Sequence, residues 1–288
     1  MKPHLLQVAT VPNRSFSIRQ EMVPNVNSRW HCHSEVEIVL FHRGSGTQFV
    51  GDSIRHFQAG DVVLIGSDLP HYWHYDEFEE DINLSKEPFA TVIHFSENFW
   101  GDRFLNLPEN QHIKNALEKA KRGIFLENTL KEKVAQIIEK LYTAEGAYRL
   151  ILLMECLLKV NQSDEKSLLA SMGFRHEITD RENERINIIY SFTLQNFKNK
   201  ISLEEVASHA GLAPNSFCRY FKSRTGKQYS RFLLEIRVGY ACKLLLNGHL
   251  TLKQICYESG FNNFTCFHEK FKLLTGSSPL NYLKIYGK

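Results

Sequence analysis

The sequence predicts an α+β protein in which a β-barrel of the jelly-roll type precedes an all-α region. Three observations predict it. From about residue 14 to 96, short β-rich runs alternate with Gly and Asp turns. From about 111 the apolar period becomes helical, and from about 182 onward no run has strand character. At 288 residues the chain has room for two domains. Its 43% hydrophobic content can bury a core in each and excludes global disorder.

The strand runs are EVEIVLFH, GTQFV, SIRHF, DVVLI and FATVIHF. They are punctuated by Arg43-Gly44-Ser45-Gly46, Gly51-Asp52 and Ala59-Gly60-Asp61 at the spacing of a sandwich or barrel. Val134, Ile137, Ile138 and Leu141 then form one helical stripe. A second helix, Tyr148 to Val160, carries Leu150, Ile151, Leu153, Met154, Leu157 and Leu158, too apolar a surface to stand free in water. A homodimer across this helix is expected, with burial inside one chain as the alternative. The polar stretch NQSDEKS at 161–167 ends the helix. The expected organisation is a barrel over 1–110, a helical dimerisation segment over 111–165, a linker over 166–184 and a helical domain over 185–288.

No apolar run reaches the roughly 18 residues of a membrane span; the longest, Leu150 to Leu158, is broken by Glu155. The first residues lack the apolar stretch of a signal peptide. The six cysteines show no C-x-x-C pairing and read as reduced thiols. A cytoplasmic protein with no membrane partner is expected.

The helical third contains a repeat. Ser202-Leu203-x-x-Val206-Ala207-x-x-Ala210-Gly211-Leu212 recurs as Thr251-Leu252-x-x-Ile255-Cys256-x-x-Ser259-Gly260-Phe261. Phe217-x-x-x-Phe221-Lys222 followed by Gly226 recurs as Phe267-x-x-x-Phe271-Lys272 followed by Gly276. Ser202 with Glu205, and Thr251 with Gln254, are capping boxes that start a short helix. Gly211 and Gly260 supply the left-handed residue that stops it. A short turn leads to a second helix pinned by a Phe pair. That is the helix-turn-helix pattern, twice, bridged by a long helix from Gln228 to Asn247. Charge agrees: residues 181–288 hold 16 Lys and Arg against 7 Asp and Glu, while residues 1–180 hold 19 against 25. A basic third behind an acidic body suits an anionic partner for one domain only.

This tandem unit resembles the AraC/XylS family of transcriptional regulators over about 100 residues, Arg185 to Tyr286. The bridging Arg237-x-x-x-Ala241-x-x-Leu244-Leu245 and the terminal Gly276-x-Ser278-Pro279-x-x-Tyr282 are part of the match. Three positions depart from the family: Cys256 replaces Ala, Leu283 replaces Arg, and Ala213 replaces the Ser that caps the first recognition helix. The resemblance implies a sequence-specific DNA-binding regulator of promoters that responds to a small-molecule effector, with RNA polymerase as a further partner. With Phe217 and Phe221 facing inward, Asn215, Cys218 and Arg219 are expected at bases. Arg219 suits guanine and Asn215 adenine. With Phe267 and Phe271 inward, the second set is Phe264, Thr265, His268 and Glu269, where Glu269 suits cytosine. Lys222, Arg224, Lys227, Lys270 and Lys272 are expected at phosphates.

A second constellation lies in the β-rich half: His31-x-His33-x-x-x-Glu37-x6-Gly44, then Gly60-x5-Gly66-x-x-x-x-His71. Histidines at i and i+2 on a strand share a face, and Glu37 joins them. The pattern resembles the two motifs of the cupin barrel, whose three His and one Glu can converge on a metal. Asn25 replaces a Gly of the first motif, Gly66-Ser67-Asp68 replaces Pro-x-Gly, and Tyr75 replaces an Asn. Two readings stay open. His31, His33, Glu37 and His71 hold a divalent transition ion, or they line an effector pocket with Trp30 and Trp73 and no metal. Because the regulators this chain resembles bind organic effectors directly, the expectation is no cofactor and no enzyme. The alternative function is a metal-dependent cupin enzyme fused to a DNA-binding tail.

Overall fold

The computed structural model describes residues 4–5, 14–22, 30–76, 88–101, 103–164, 166–172, 174 and 180–286. Asn25 lies outside them. The chain forms two compact units that divide near residue 177.

Among the described residues, the first unit holds eleven strands: β1 (His4–Leu5), β2 (Phe16–Met22), β3 (His31–Cys32), β4 (Glu35–Arg43), β5 (Gly46–Val50), β6 (Ser53–Phe57), β7 (Val62–Ile65), β8 (His71–Tyr75), β9 (Phe89–Ser96), β10 (Ile124–Leu126) and β11 (Lys166–Leu168). It also holds three α-helices: α1 (Gln111–Ala120), α2 (Asn128–Thr143) and α3 (Tyr148–Gln162). The strands form a five-stranded sheet, β1-β3-β8-β5-β6, and a six-stranded sheet, β11-β10-β7-β4-β9-β2.

Strand alternation divides the apolar side chains between two cores. Val39, Phe41, Val63, Ile65 and Val92 of the larger sheet meet Val50, Phe57 and Trp73 of the smaller one, which makes the barrel interior. On the opposite face of the larger sheet, Val36, Ile38, Leu40, Leu64, Ile93 and Phe95 pack against Ile113 and Leu117 of α1, Val134 and Ile138 of α2, and Leu153 and Leu157 of α3. Strand β4 is buried on both faces, which explains its continuous apolar run. Lys131 on α2 reaches the turn before β7 through an ion pair with Asp61 (3.0 Å).

The apolar faces of residues 111–165 complete the core outside the larger sheet. Leu152, Leu153, Cys156, Leu157 and Val160 of α3 are buried within this chain, while Tyr148 and Ile151 remain 56% and 55% exposed. The linker expected from 166 begins later. Lys166–Leu168 pair antiparallel with Ile124–Leu126, Ala170 is buried, and Phe174 packs on the interior core. Polar composition was misleading because β11 lies at the sheet edge, where only some of its residues need to be apolar.

The second unit is all helix: α4 (Asp180–Asn196), α5 (Leu203–His209), α6 (Pro214–Thr225), α7 (Tyr229–Asn247), α8 (Leu252–Glu258), α9 (Phe264–Thr275) and α10 (Pro279–Tyr286). Both capping boxes form: Ser202 and Glu205 bond each other's backbone N–H, as do Thr251 and Gln254. Gly211 and Gly260 sit at φ +64° and +82°, the left-handed conformation that ends α5 and α8. Ala213 gives α6 no side-chain cap, whereas Asn263 accepts from the Cys266 N–H at the start of α9. A missing cap costs about 1 kcal/mol. Phe217, Phe221, Phe267 and Phe271 are fully buried. The C-terminal half of α7, with Val238, Ala241, Cys242 and Leu245, belongs to the core around α8 and α9.

Candidate functional site

Strand register assembles the barrel cluster. His31 of β3 pairs with His71 of β8, so both side chains leave the sheet on one face, and His33 follows two residues on. From the larger sheet, Glu37 of β4 stands opposite His94 of β9 and Ile65 of β7. The four residues named by the motif come together: their ligand-capable atoms lie within 4.8 Å of one another, and all four are buried.

Glu37 is the hub. Its Oε2 lies 3.1 Å from His33 Nε2, 2.7 Å from His94 Nε2 and 3.6 Å from His71 Nε2. The outer nitrogens of two rings face backbone carbonyls: His33 Nδ1 lies 2.9 Å from Glu35 O, and His71 Nδ1 lies 2.8 Å from Leu69 O. Burial alone would raise the Glu37 carboxyl, but His71, His33 and His94 outweigh it and hold the carboxyl well below the usual range. Burial likewise opposes charge on His33, while Glu37 and Glu35 raise its pKa on balance. The cupin-motif position occupied by Asp68 adopts φ +59°, so a non-glycine residue takes the left-handed turn that Gly makes elsewhere; Asp tolerates it better than most.

His94 belongs to the site although no motif names it. Only the β4–β9 register brings it to Glu37, and register between strands more than fifty residues apart is not legible in spacing. Gln48 is a second such residue. It pairs across β5–β8 with Trp73 and is 1% exposed. Neither of its amide atoms has a hydrogen-bond partner among the described residues, nor does Trp73 Nε1. Ser17 and Arg19 of β2 pair with His94 and Val92, which places them on the same interior face. Trp73 packs edge-on to Phe41 and lies 5.8 Å from the His71 ring, centroid to centroid. Trp30 is buried just before β3.

In the helical unit, Asn215, Cys218 and Arg219 lie exposed on α6, opposite its buried Phe pair. On α9, Phe264, Thr265 and Glu269 are exposed and His268 is half-buried against the Phe264 ring. Lys222 and Lys272 are exposed, and Arg224 and Lys270 are half-buried. Lys227 is half-buried, its ammonium 2.6 Å from Glu235, which Arg231 also engages.

A barrel with a polar buried interior and paired helix-turn-helix units together define a DNA-binding regulator with a ligand-binding domain. The sequence profile of the AraC-like ligand binding domain matches residues 15–143, and that of a helix-turn-helix domain matches residues 206–285. The chain belongs to the AraC family of transcriptional regulators. It is 25% identical over 275 residues to the uncharacterized HTH-type transcriptional regulator YdeC of Bacillus subtilis, covering 88% of this chain and 86% of that one. It is 24% identical over 255 residues to the HTH-type transcriptional activator RhaS of Mannheimia succiniciproducens, again covering 88% and 86%. Among solved structures, ToxT of Vibrio cholerae is similar at 14% identity and TM-score 0.38, covering 94% of this chain and 98% of that one. The DNA-binding domain of AdpA in complex with a target DNA is similar at 25% identity and TM-score 0.34, covering 38% and 94%. Among the described residues, no helix is long and apolar enough to cross a membrane.

Proposed function

We propose that the barrel interior binds a polar small-molecule effector and that its occupancy sets how the paired helix-turn-helix units engage promoter DNA. The observation that carries this is the pair Gln48 and Trp73, cross-strand neighbours whose buried polar atoms have no partner among the described residues. An unsatisfied buried donor or acceptor costs about 1–3 kcal/mol. A ligand with its own hydroxyl, carbonyl or carboxylate groups would satisfy them, beside the histidine cluster and against the Trp73 ring. Control of DNA binding then requires that the effector prefer one of two arrangements of the protein, since a ligand of equal affinity for both shifts nothing.

On the DNA side, Asn215, Cys218 and Arg219 read bases from α6, and Phe264, Thr265, His268 and Glu269 read them from α9. Lys222, Arg224, Lys270 and Lys272 anchor phosphates; Lys227, held by Glu235, is left out of this set. The exposed Tyr148 and Ile151 of α3 form the seam of a homodimer. Bound at a promoter in the cytoplasm, the dimer is placed to meet RNA polymerase.

The test is a thermal-shift screen of the full chain against polar metabolites, followed by operator binding with and without each stabilising compound. A compound that raises the melting temperature and changes operator affinity at least fivefold supports the proposal. Stabilising compounds that leave operator affinity unchanged would overturn it.

A further inference from the structure

We infer that residues 166–172 and Phe174 form a strap across the barrel, and that the seating of this strap couples the barrel interior to operator binding. The inference rests on the reading of that interior as the effector site, and it names the element that transmits occupancy.

Backbone bonds lay the strap down. Beyond the β10–β11 ladder, the Leu169 N–H donates to the Gly123 carbonyl at 2.9 Å, and the Ala170 N–H to the Arg122 carbonyl at 2.7 Å. Arg122 Nε returns a bond to the Ala170 carbonyl at 2.9 Å. The Ser171 N–H then donates to Asp52 Oδ1 at 2.8 Å, across 119 positions of sequence.

The seat is the Gly51-Asp52 turn between β5 and β6. Gly51 adopts φ +55°, and a Cβ there would stand 2.8 Å from the Ala170 Cβ and 3.2 Å from the Phe174 ring. Glycine alone combines that conformation with so close an approach. The same strand pair carries the unsatisfied interior. The Gly51 N–H bonds the Pro70 carbonyl at 2.8 Å, Val50 pairs with His71, and Gln48 pairs with Trp73. Leu169, Ala170 and Phe174 pack on the same core as Val50 and Trp73. A ligand that engages Gln48 and Trp73 therefore acts on the two strands that hold the seat.

The strap is lightly held. Ala170 is buried, but Ser171 is exposed and Met172 is 88% exposed. Few buried contacts and exposed backbone bonds mark a segment that opens locally. Phe174 stands six positions before α4 begins at Asp180, so release lengthens the connector to the helical unit by the residues it frees. Seated and released straps are the two states that effector control requires.

The experiment follows hydrogen exchange at residues 169–171 of the full-length chain, with and without a duplex that this chain selects from random DNA. Ser171→Pro removes the N–H given to Asp52, Asp52→Ala removes its acceptor, and Asp52→Asn keeps an acceptor oxygen. The first two should speed exchange at Leu169 and Ala170 and change operator affinity about fivefold or more, with Asp52→Asn close to the parent. By reciprocity, DNA should shift strap exchange in the matching sense: slower if freeing the strap weakens DNA binding, faster if it strengthens it. Amides of β4 report the fold; if a variant disturbs them, the DNA arm on the parent chain decides. Faster strap exchange with unchanged operator affinity would overturn the inference. So would unchanged exchange in both variants, or strap exchange that ignores DNA or moves in the opposite sense. A compound from the thermal-shift screen that alters operator affinity in the parent should lose that effect in Ser171→Pro. If it still acts there, the strap is overturned while the effector reading stands.

Discussion

Arg237 on α7 donates from Nε to the Phe197 carbonyl at 2.8 Å and from a terminal nitrogen to the Asn199 carbonyl at 2.7 Å. Those carbonyls belong to the chain leaving α4, and Gly260, in the turn between α8 and α9, packs against the same Phe197 carbonyl. A Cβ at Gly260 would collide with that oxygen and with Arg237. The first and second helix-turn-helix units are therefore joined twice, through α7 and through this contact. Arg237→Ala should weaken binding to a two-part operator about 10-fold or more, since hydrogen bonds to a charged group contribute roughly 1.5–3 kcal/mol. Binding to a single half-site should change little. Equal loss on both DNAs, measured by fluorescence anisotropy, would show that Arg237 acts on the fold alone.

Arg219 is the sharpest test of base reading. Arg219→Ala should cost about 1–3 kcal/mol and relax preference at one base position. Binding across a set of single-base operator variants checks this. Uniform weakening of every variant would make Arg219 a phosphate contact.

Gln48→Leu should separate stability from response. It removes two buried amide atoms without partners, so the barrel should keep or raise its melting temperature while effector-dependent operator binding disappears. A variant that melts several degrees lower, with its response intact, would place Gln48 in the structural framework.

Thiol chemistry should divide the six cysteines. Burial pushes the Cys156 and Cys242 thiols up to about 12, and Cys32 up to about 11 with help from Asp68. Cys256 is raised as well. Cys218 and Cys266 are exposed on α6 and α9. A thiol reagent at neutral pH should modify these two quickly and the other four only on unfolding. Operator DNA should protect Cys218. Continued labelling at the rate of free protein would remove Cys218 from the interface.

For the dimer, Ile151→Glu places a charge on an already exposed position, so the fold should tolerate it. Sedimentation at micromolar concentration should show a dimer for the parent chain and a monomer for the variant. A monomeric parent chain would end the proposal for α3.

Much of this was legible in sequence where physics acts locally. The capping boxes of Ser202 and Thr251, the stop glycines 211 and 260, and the inward Phe pairs each follow from neighbours within one turn. The strands EVEIVLFH, GTQFV, SIRHF and FATVIHF were equally readable, because alternation or continuous burial is written in the run itself. What was missed depends on distant pairing. His94 meets Glu37 only through β4–β9 register, Gln48 meets Trp73 through β5–β8, and Lys166–Leu168 become a strand only because Ile124–Leu126 lie beside them. The Lys227–Glu235 pair was hidden similarly, since both residues look solvated until α7 follows α6 at this angle.

The central claim is that one chain reads DNA sequence with two recognition helices. The most direct measurement is selection of binding sites from a pool of random duplexes by the full-length protein. Sites with two conserved blocks whose centres lie about one helical turn, roughly 10–10.5 base pairs, apart should be enriched. In the same selection, Arg219→Ala should blur the block read by α6, and Glu269→Ala the block read by α9. A selected pool with no conserved sequence, or with one block that neither substitution affects, would contradict it.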